Sequence, residues 1–153
     1  MLDHQLVFHT AIIRHRGLAL VVDDEPTVRV LGTLMLRQWG YEVIQAEDGR
    51  QALELFAANA GAVRLVLLDL MMPVMDGVET LTEIRRTHPN VPVVVCSGYS
   101  GDALPPALGG SPTTTFLRKP YTRRKLRRAI VTVVGADEGP PSPTPPAAAP
   151  VAG

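Results

Sequence analysis

A chain of 153 residues has room for one domain of ordinary size. Hydrophobic residues at 46% and charged ones at 20% exclude global disorder, and a formal net charge of zero excludes a whole-molecule field strong enough to hold nucleic acid or an anionic membrane. A single cysteine, Cys96, excludes an internal disulfide and suits a reducing cytoplasm; no apolar stretch is of membrane-spanning length, and the start Met-Leu-Asp-His lacks a signal-peptide pattern, so a cytoplasmic location with no membrane contact is expected.

Residues 1–17 hold a short apolar patch among His4, His9, His15, Arg14 and Arg16, and are read as an N-terminal extension. A regular alternation begins at residue 18. Residues 18–22 are a short continuous apolar run, the pattern of a strand buried on both faces. It ends in Asp23-Asp24-Glu25-Pro26, and proline fits the first turn of a helix because its missing N–H costs nothing there. Val28, Leu31, Met35 and Trp39 recur at helical spacing until Gly40 stops the helix. Residues 41–46 read as a second strand, and 49–59 as a helix with Leu53 and Phe56 on its apolar face. Residues 65–68 form a third buried strand ending in Asp69, followed by a helix over 77–87 carrying Val78, Leu81 and Ile84. Residues 91–96 form a fourth strand ending in Ser97, and 114–117 a short fifth strand leading to Lys119-Pro120. The last helix, 122–134, turns Leu126, Ala129, Ile130 and Val133 inward and leaves a basic face that is read as solvated. From residue 135 the chain is nearly all Gly, Pro, Ala, Ser and Thr, a composition expected to stay disordered.

Five strands alternating with helices imply a parallel α/β sheet covered on both faces. In such sheets ligands bind at the carboxyl ends of the strands, where strand order reverses. Asp23, Asp24, Asp69, Ser97 and Lys119 all fall at that edge. Three converging carboxylates repel one another and call for a cation, and hard oxygen donors point to Mg²⁺. A lysine and a hydroxyl beside them suit the oxygens of a phosphoryl group.

With these positions in hand, the chain resembles the receiver domains of two-component response regulators. The resemblance rests on Leu-Val-Val-Asp-Asp-Glu-Pro (20–26), Leu-Leu-Asp-Leu-Met-Met-Pro-Val-Met-Asp-Gly (67–77), Val-Val-Cys-Ser-Gly-Tyr (94–99) and Phe-Leu-Arg-Lys-Pro-Tyr (116–121), and covers about residues 18–134. It implies a doubly wound, flavodoxin-like sheet of order 2-1-3-4-5. It implies that Asp69 accepts the phosphoryl group, and that Asp23, Asp24, Asp69 and the backbone carbonyl of Met71 hold Mg²⁺. Lys119 and Ser97 would bind the phosphoryl oxygens, Phe116 would stand at the place of the switch aromatic, and the Lys119-Pro120 peptide would be cis. The implied phosphodonor is a histidine kinase or histidine phosphotransfer protein, with a further protein downstream. The chain is then a switch rather than an enzyme in the ordinary sense. The Ser-Gly-Tyr and Lys-Pro-Tyr segments resemble receivers attached to hybrid sensor histidine kinases.

Other readings are weaker. An aspartate-nucleophile phosphohydrolase wants a second aspartate two residues after the nucleophile, and Met71 stands there. A flavin carrier wants a Ser/Thr/Gly-rich phosphate loop after strand one, where Asp23-Asp24-Glu25 would repel phosphate. A degenerate receiver acting only as a protein-binding module is the remaining alternative. Asp76-Gly77 is read as a turn and helix cap, and Cys96 as a small buried hydrophobe. The sequence departs from the family over 98–112, where adjacent prolines and several glycines predict a short or irregular fourth helix. A second departure is that nothing after residue 134 reads as an output domain, so the chain is expected either to work alone or to be part of a longer protein. Met71 and Tyr99 stand where they would control water access to the phosphoryl group, and neither can position water as a carboxylate or amide would, so slow self-dephosphorylation is expected.

Overall fold

The computed structural model describes residues 15–98 and 105–135. The N-terminal extension up to residue 14, Tyr99 and the tail from 136 lie outside the described residues. Five strands, β1 (Gly17–Val22), β2 (Tyr41–Ala46), β3 (Val63–Asp69), β4 (Val93–Ser97) and β5 (Thr114–Arg118), alternate with α1 (Pro26–Gln38), α2 (Gly49–Ala58), α3 (Gly77–Thr87), α4 (Pro106–Gly109) and α5 (Arg123–Val134). All pairings are parallel and the strand order is β2-β1-β3-β4-β5.

The apolar runs of the central strands alternate between two cores, one on each face. Leu20, Val22, Val66, Leu68, Val93 and Val95 face α2 and α3, where they meet Ala52, Phe56, Leu81 and Ile84. Ala19, Val21, Leu65, Leu67, Val94 and Cys96 face α1 and α5, against Leu36, Leu126, Ala129, Ile130 and Val133. A period of two along strands that are apolar at every position requires this two-sided burial.

The helix starts follow from side-chain oxygens accepting free amides of the first turn. Asp48 accepts from Gln51 N, Asp76 from Glu79 N and Thr122 from Lys125 N. Within the described part of 98–112, which leaves out 99–104, the fourth helix is a single turn of four residues, Pro106–Gly109, the short helix that the prolines and glycines there predict. β4 begins at Val93 rather than at 91. Pro92 has no N–H for the ladder, and the pairing starts with Val93 N on the Thr113 carbonyl at 2.8 Å.

The apolar stripe of α1 turns only partly to the sheet, with Met35 and Trp39 packed against the core. Its fully buried positions are Gly32, Thr33 and Leu36, whereas Val28 and Met35 are half-buried and Leu31 is exposed. The spacing marks a helix correctly, but a helix with apolar residues on several sides does not declare which side meets the sheet.

Candidate functional site at the carboxyl edge of the sheet

Adjacent parallel strands end at the same level, so the register carries Asp23, Asp69, Ser97 and Lys119 to one edge. Asp69 lies level with Cys96, and Ser97 with Arg118, the residue before Lys119. The backbone ties them together: Lys119 N donates to the Ser97 carbonyl at 2.8 Å and Leu70 N to the Cys96 carbonyl at 2.9 Å. The Lys119-Pro120 peptide is cis.

Asp23 and Asp69 are buried and Asp24 is half-buried; one oxygen from each lies within 4.8 Å of the others. Lys119 Nζ reaches between them, 2.7 Å from Asp23 Oδ2 and 3.3 Å from Asp69 Oδ2. The shorter of its two contacts is to Asp23. The other oxygens are also held. Asp23 Oδ1 accepts from Glu25 N at 2.9 Å, and Asp69 Oδ1 accepts from Met71 N at 3.2 Å. Arg29 Nη1 donates to the Asp23 carbonyl at 2.9 Å and braces the strand end.

Burial makes ionisation of Asp69 costly, and the Asp23 charge adds to the cost, so its carboxyl is pushed up to about 6 although Lys119 and the Met71 amide oppose the shift. Burial would lower the Lys119 ammonium, but its hydrogen bond to Asp23 and the charges of Asp23 and Asp69 outweigh that, and its pKa is raised. Lys119 therefore stays charged, and Asp69 is mostly ionised at neutral pH. One ammonium does not balance three carboxylates. The remaining negative charge, hard oxygen donors and their spacing fit a small divalent cation such as Mg²⁺, with Asp23, Asp24 and Asp69 as the residues to hold it.

Ser97 is buried at the end of β4. Phe116 is half-buried on β5 and packs against the α2–α3 core, which Leu108 of α4 also touches. Gly77 allows the chain to double back under the site: its N–H donates to the Leu70 carbonyl at 2.9 Å, and a Cβ there would meet the Asp69 carbonyl and come within 2.6 Å of Leu70 Cα. Asp76 caps α3. Cys96 is buried beside the site, and burial pushes its thiol up.

A cavity of about 480 Å³ opens over Asp69 and Lys119 and runs along α1, lined by Val28, Leu31, Met35 and Tyr121. Sequence reading named those α1 residues only as a helical stripe. It missed Arg29 entirely, since no local pattern marks an arginine that reaches back six residues to a carbonyl. Of the basic residues around the last helix, Arg118, Arg123, Arg124, Lys125, Arg127 and Arg128 are exposed and only Lys119 turns into the site.

The model of the response regulator receiver domain matches residues 19–131, and the chain belongs to that family. It is 38% identical over 111 residues to the sensor kinase CckA of Brucella abortus, an alignment covering 72% of this chain. The chain spans only 12% of that kinase's length. Among solved structures it is similar to the receiver domain of the hybrid histidine kinase CckA, with 34% identity, a TM-score of 0.65, and coverage of 77% of this chain and 99% of that one. It is also similar to the CheX-CheY-BeF3-Mg+2 complex from Borrelia burgdorferi, with 27% identity, a TM-score of 0.72, and coverage of 78% and 90%. The chain is thus a receiver domain of the two-component type, with a sequence close to receivers of hybrid kinases. Among the described residues, no helix is long and apolar enough to cross a membrane.

Proposed function

We propose that the chain accepts a phosphoryl group on Asp69 from a histidine kinase or histidine phosphotransfer protein, in a reaction that needs Mg²⁺, and passes the change to a downstream protein. The observation that carries this reading is the meeting of three carboxylates with the Lys119 ammonium at the strand ends. The solved relative whose name includes BeF3 and Mg supports the same chemistry by likeness.

The Asp69 carboxylate attacks phosphorus, an O–P bond forms and the P–N bond of the phosphohistidine breaks. The imidazole leaves and takes a proton from water. Such transfers depend on alignment and charge neutralisation more than on nucleophile strength. The Met71 amide fixes one Asp69 oxygen, and Lys119 faces the other and lies ready for a phosphoryl oxygen. Mg²⁺, when bound, supplies the rest of the neutralisation. The product carries roughly two negative charges in place of one. Lys119 and the Ser97 hydroxyl are the groups that would respond, and Phe116 the side chain that would follow. With α4 reduced to one turn, output through that face differs from a receiver with a full fourth helix. The chain acts as a switch rather than a turnover enzyme, and a cytoplasmic setting suits its donor.

Self-dephosphorylation is slow, on the order of hours, because Met71 at the mouth offers no group to position water. A phosphate half-life of seconds in the purified protein would contradict this. The reading itself is tested with acetyl phosphate and intact mass. A gain of one phosphoryl group is expected with Mg²⁺, and none with EDTA or in Asp69→Asn. No gain from acetyl phosphate or from any phosphohistidine donor would leave the degenerate-receiver alternative instead.

A further inference from the structure

The loop that leads from Asp69 to α3 contains a strained residue that neither the core nor the chemistry uses. Met75 N donates to the Pro73 carbonyl at 2.8 Å across Val74, whose φ is +69°. This is the γ-turn of positive φ, the rare and strained form. Glycine or asparagine tolerates that conformation, and a β-branched side chain suits it least. Val74 is the one non-glycine residue with positive φ among the described residues. Its side chain is 79% exposed, so no burial offsets the strain.

The turn cannot relax easily. The loop is closed at its base by the bond from Gly77 N to the Leu70 carbonyl. Gly77 and Gly49 admit the backbones of Leu70 and Met75 closer than any Cβ would permit; at Gly49 a Cβ would lie 2.7 Å from the Met75 carbonyl oxygen. Val74 is therefore a rigid apolar knob at the apex of the loop whose base holds Asp69. Met71 in the same loop and Leu31 on α1 line the mouth over Asp69 and are 59% and 49% exposed.

We propose that Val74 is a specificity-determining contact for the protein phosphodonor, one that carries apolar side chains beside its phosphohistidine. The inference rests on the phosphotransfer reading given above. Asp69 is 5% exposed, and transfer needs the leaving nitrogen in line behind the phosphorus, so a protein donor must press its surface against this mouth. Exposed apolar side chains stand at and beside that mouth: Leu31 and Met71 line it together with Glu25, and Val74 follows Met71 by three residues in the same loop. A knob fixed by its backbone loses little freedom on contact, which favours affinity. A small donor such as acetyl phosphate enters without reaching the loop apex.

The test uses the full chain with Val74→Gly, Val74→Asn and Val74→Ile. Each is phosphorylated by acetyl phosphate, and by whichever of a fixed panel of phosphorylated histidine phosphotransfer domains is fastest on the wild type. The Gly and Asn variants are expected to melt no lower than wild type, with Asn about 3 °C higher as strain is relieved. Their acetyl phosphate rates stay at the wild-type value. Their transfer from the protein donor falls about tenfold through KM, the factor for one lost apolar side-chain contact, and Ile retains it. Unchanged protein-donor transfer in Gly and Asn overturns the proposal. So does an equal fall with both donors, or a panel that fails on wild type while acetyl phosphate succeeds. Loss of a concentration-dependent dimer with unchanged transfer would assign the knob to a second copy and overturn it as well. If neither donor class phosphorylates wild type at Asp69, it is the phosphotransfer reading that fails.

Discussion

The interior of the sheet and its carboxyl edge are built on opposite rules. Inside, β1, β3 and β4 bury Leu, Val and Ala on both faces, and each side chain removed from water stabilises the fold. At the edge, the same strands end in buried Asp23 and Asp69, whose charges repel and are only partly balanced by Lys119. The interior is arranged for stability. The edge holds like charges close together in a place that costs stability, and a bound cation would relieve that cost. Substitutions in the two regions should therefore have opposite signs.

The largest effect belongs to the interior. Leu68→Ala, one residue before Asp69 and fully buried, should lose about 3–4 kcal/mol in urea denaturation. A loss below about 1 kcal/mol would break the comparison from that side.

The edge should respond the other way. In metal-free protein at pH 7, Asp69→Asn should gain about 1–2 kcal/mol, a figure reduced for solvent screening at the open mouth. The sign follows from the raised carboxyl. Between the unfolded value near 3.8 and the folded value of about 6, the folded state holds the proton more tightly. Wild-type stability on this account therefore rises as pH falls from 7 through 6 toward 4, and the Asn variant lacks that slope. Denaturation midpoints across pH 4–7 check both statements. A destabilised Asn variant would contradict them.

Mg²⁺ should act on the same strain. At ten times its Kd it should add about 1.4 kcal/mol to wild type, visible as a rise in Tm, and clearly less to Asp69→Asn. Equal shifts in both proteins would place the cation elsewhere. The smallest effect sharpens the boundary between the regions. Asp76 sits near the site but serves α3 as its cap, so Asp76→Ala should cost about 1 kcal/mol and leave Mg²⁺ binding by titration unchanged.

The interior was far more legible in the sequence than the edge. The bounds 41–46 and 77–87 match the structure, and the inward residues of α5 are legible in full, the latter because a single apolar stripe at helical spacing has one solution. The single-turn α4 followed from its prolines. The strand ends put Asp23, Asp69, Ser97 and Lys119 on one edge, but only the resemblance gave them separate roles. α1 was harder, since its several apolar sides do not say which meets the sheet. Arg85 had no signal at all. Its guanidinium joins the end of α3 to the Val91 and Thr113 carbonyls and the Thr114 hydroxyl, contacts set by tertiary approach alone. Val74 was equally silent, because Pro-Val-Met lacks the glycine or asparagine that announces positive φ.

Asp69, among three neighbouring aspartates, is the proposed acceptor. Treating the phosphorylated protein with borohydride reduces an acyl phosphate to the alcohol, turning the acceptor aspartate into homoserine, which peptide mass mapping then locates. Homoserine is expected at position 69, and unmodified aspartate at 23 and 24. Homoserine at 23 or 24, or no reduced residue in a protein that has gained the phosphoryl mass, would contradict it.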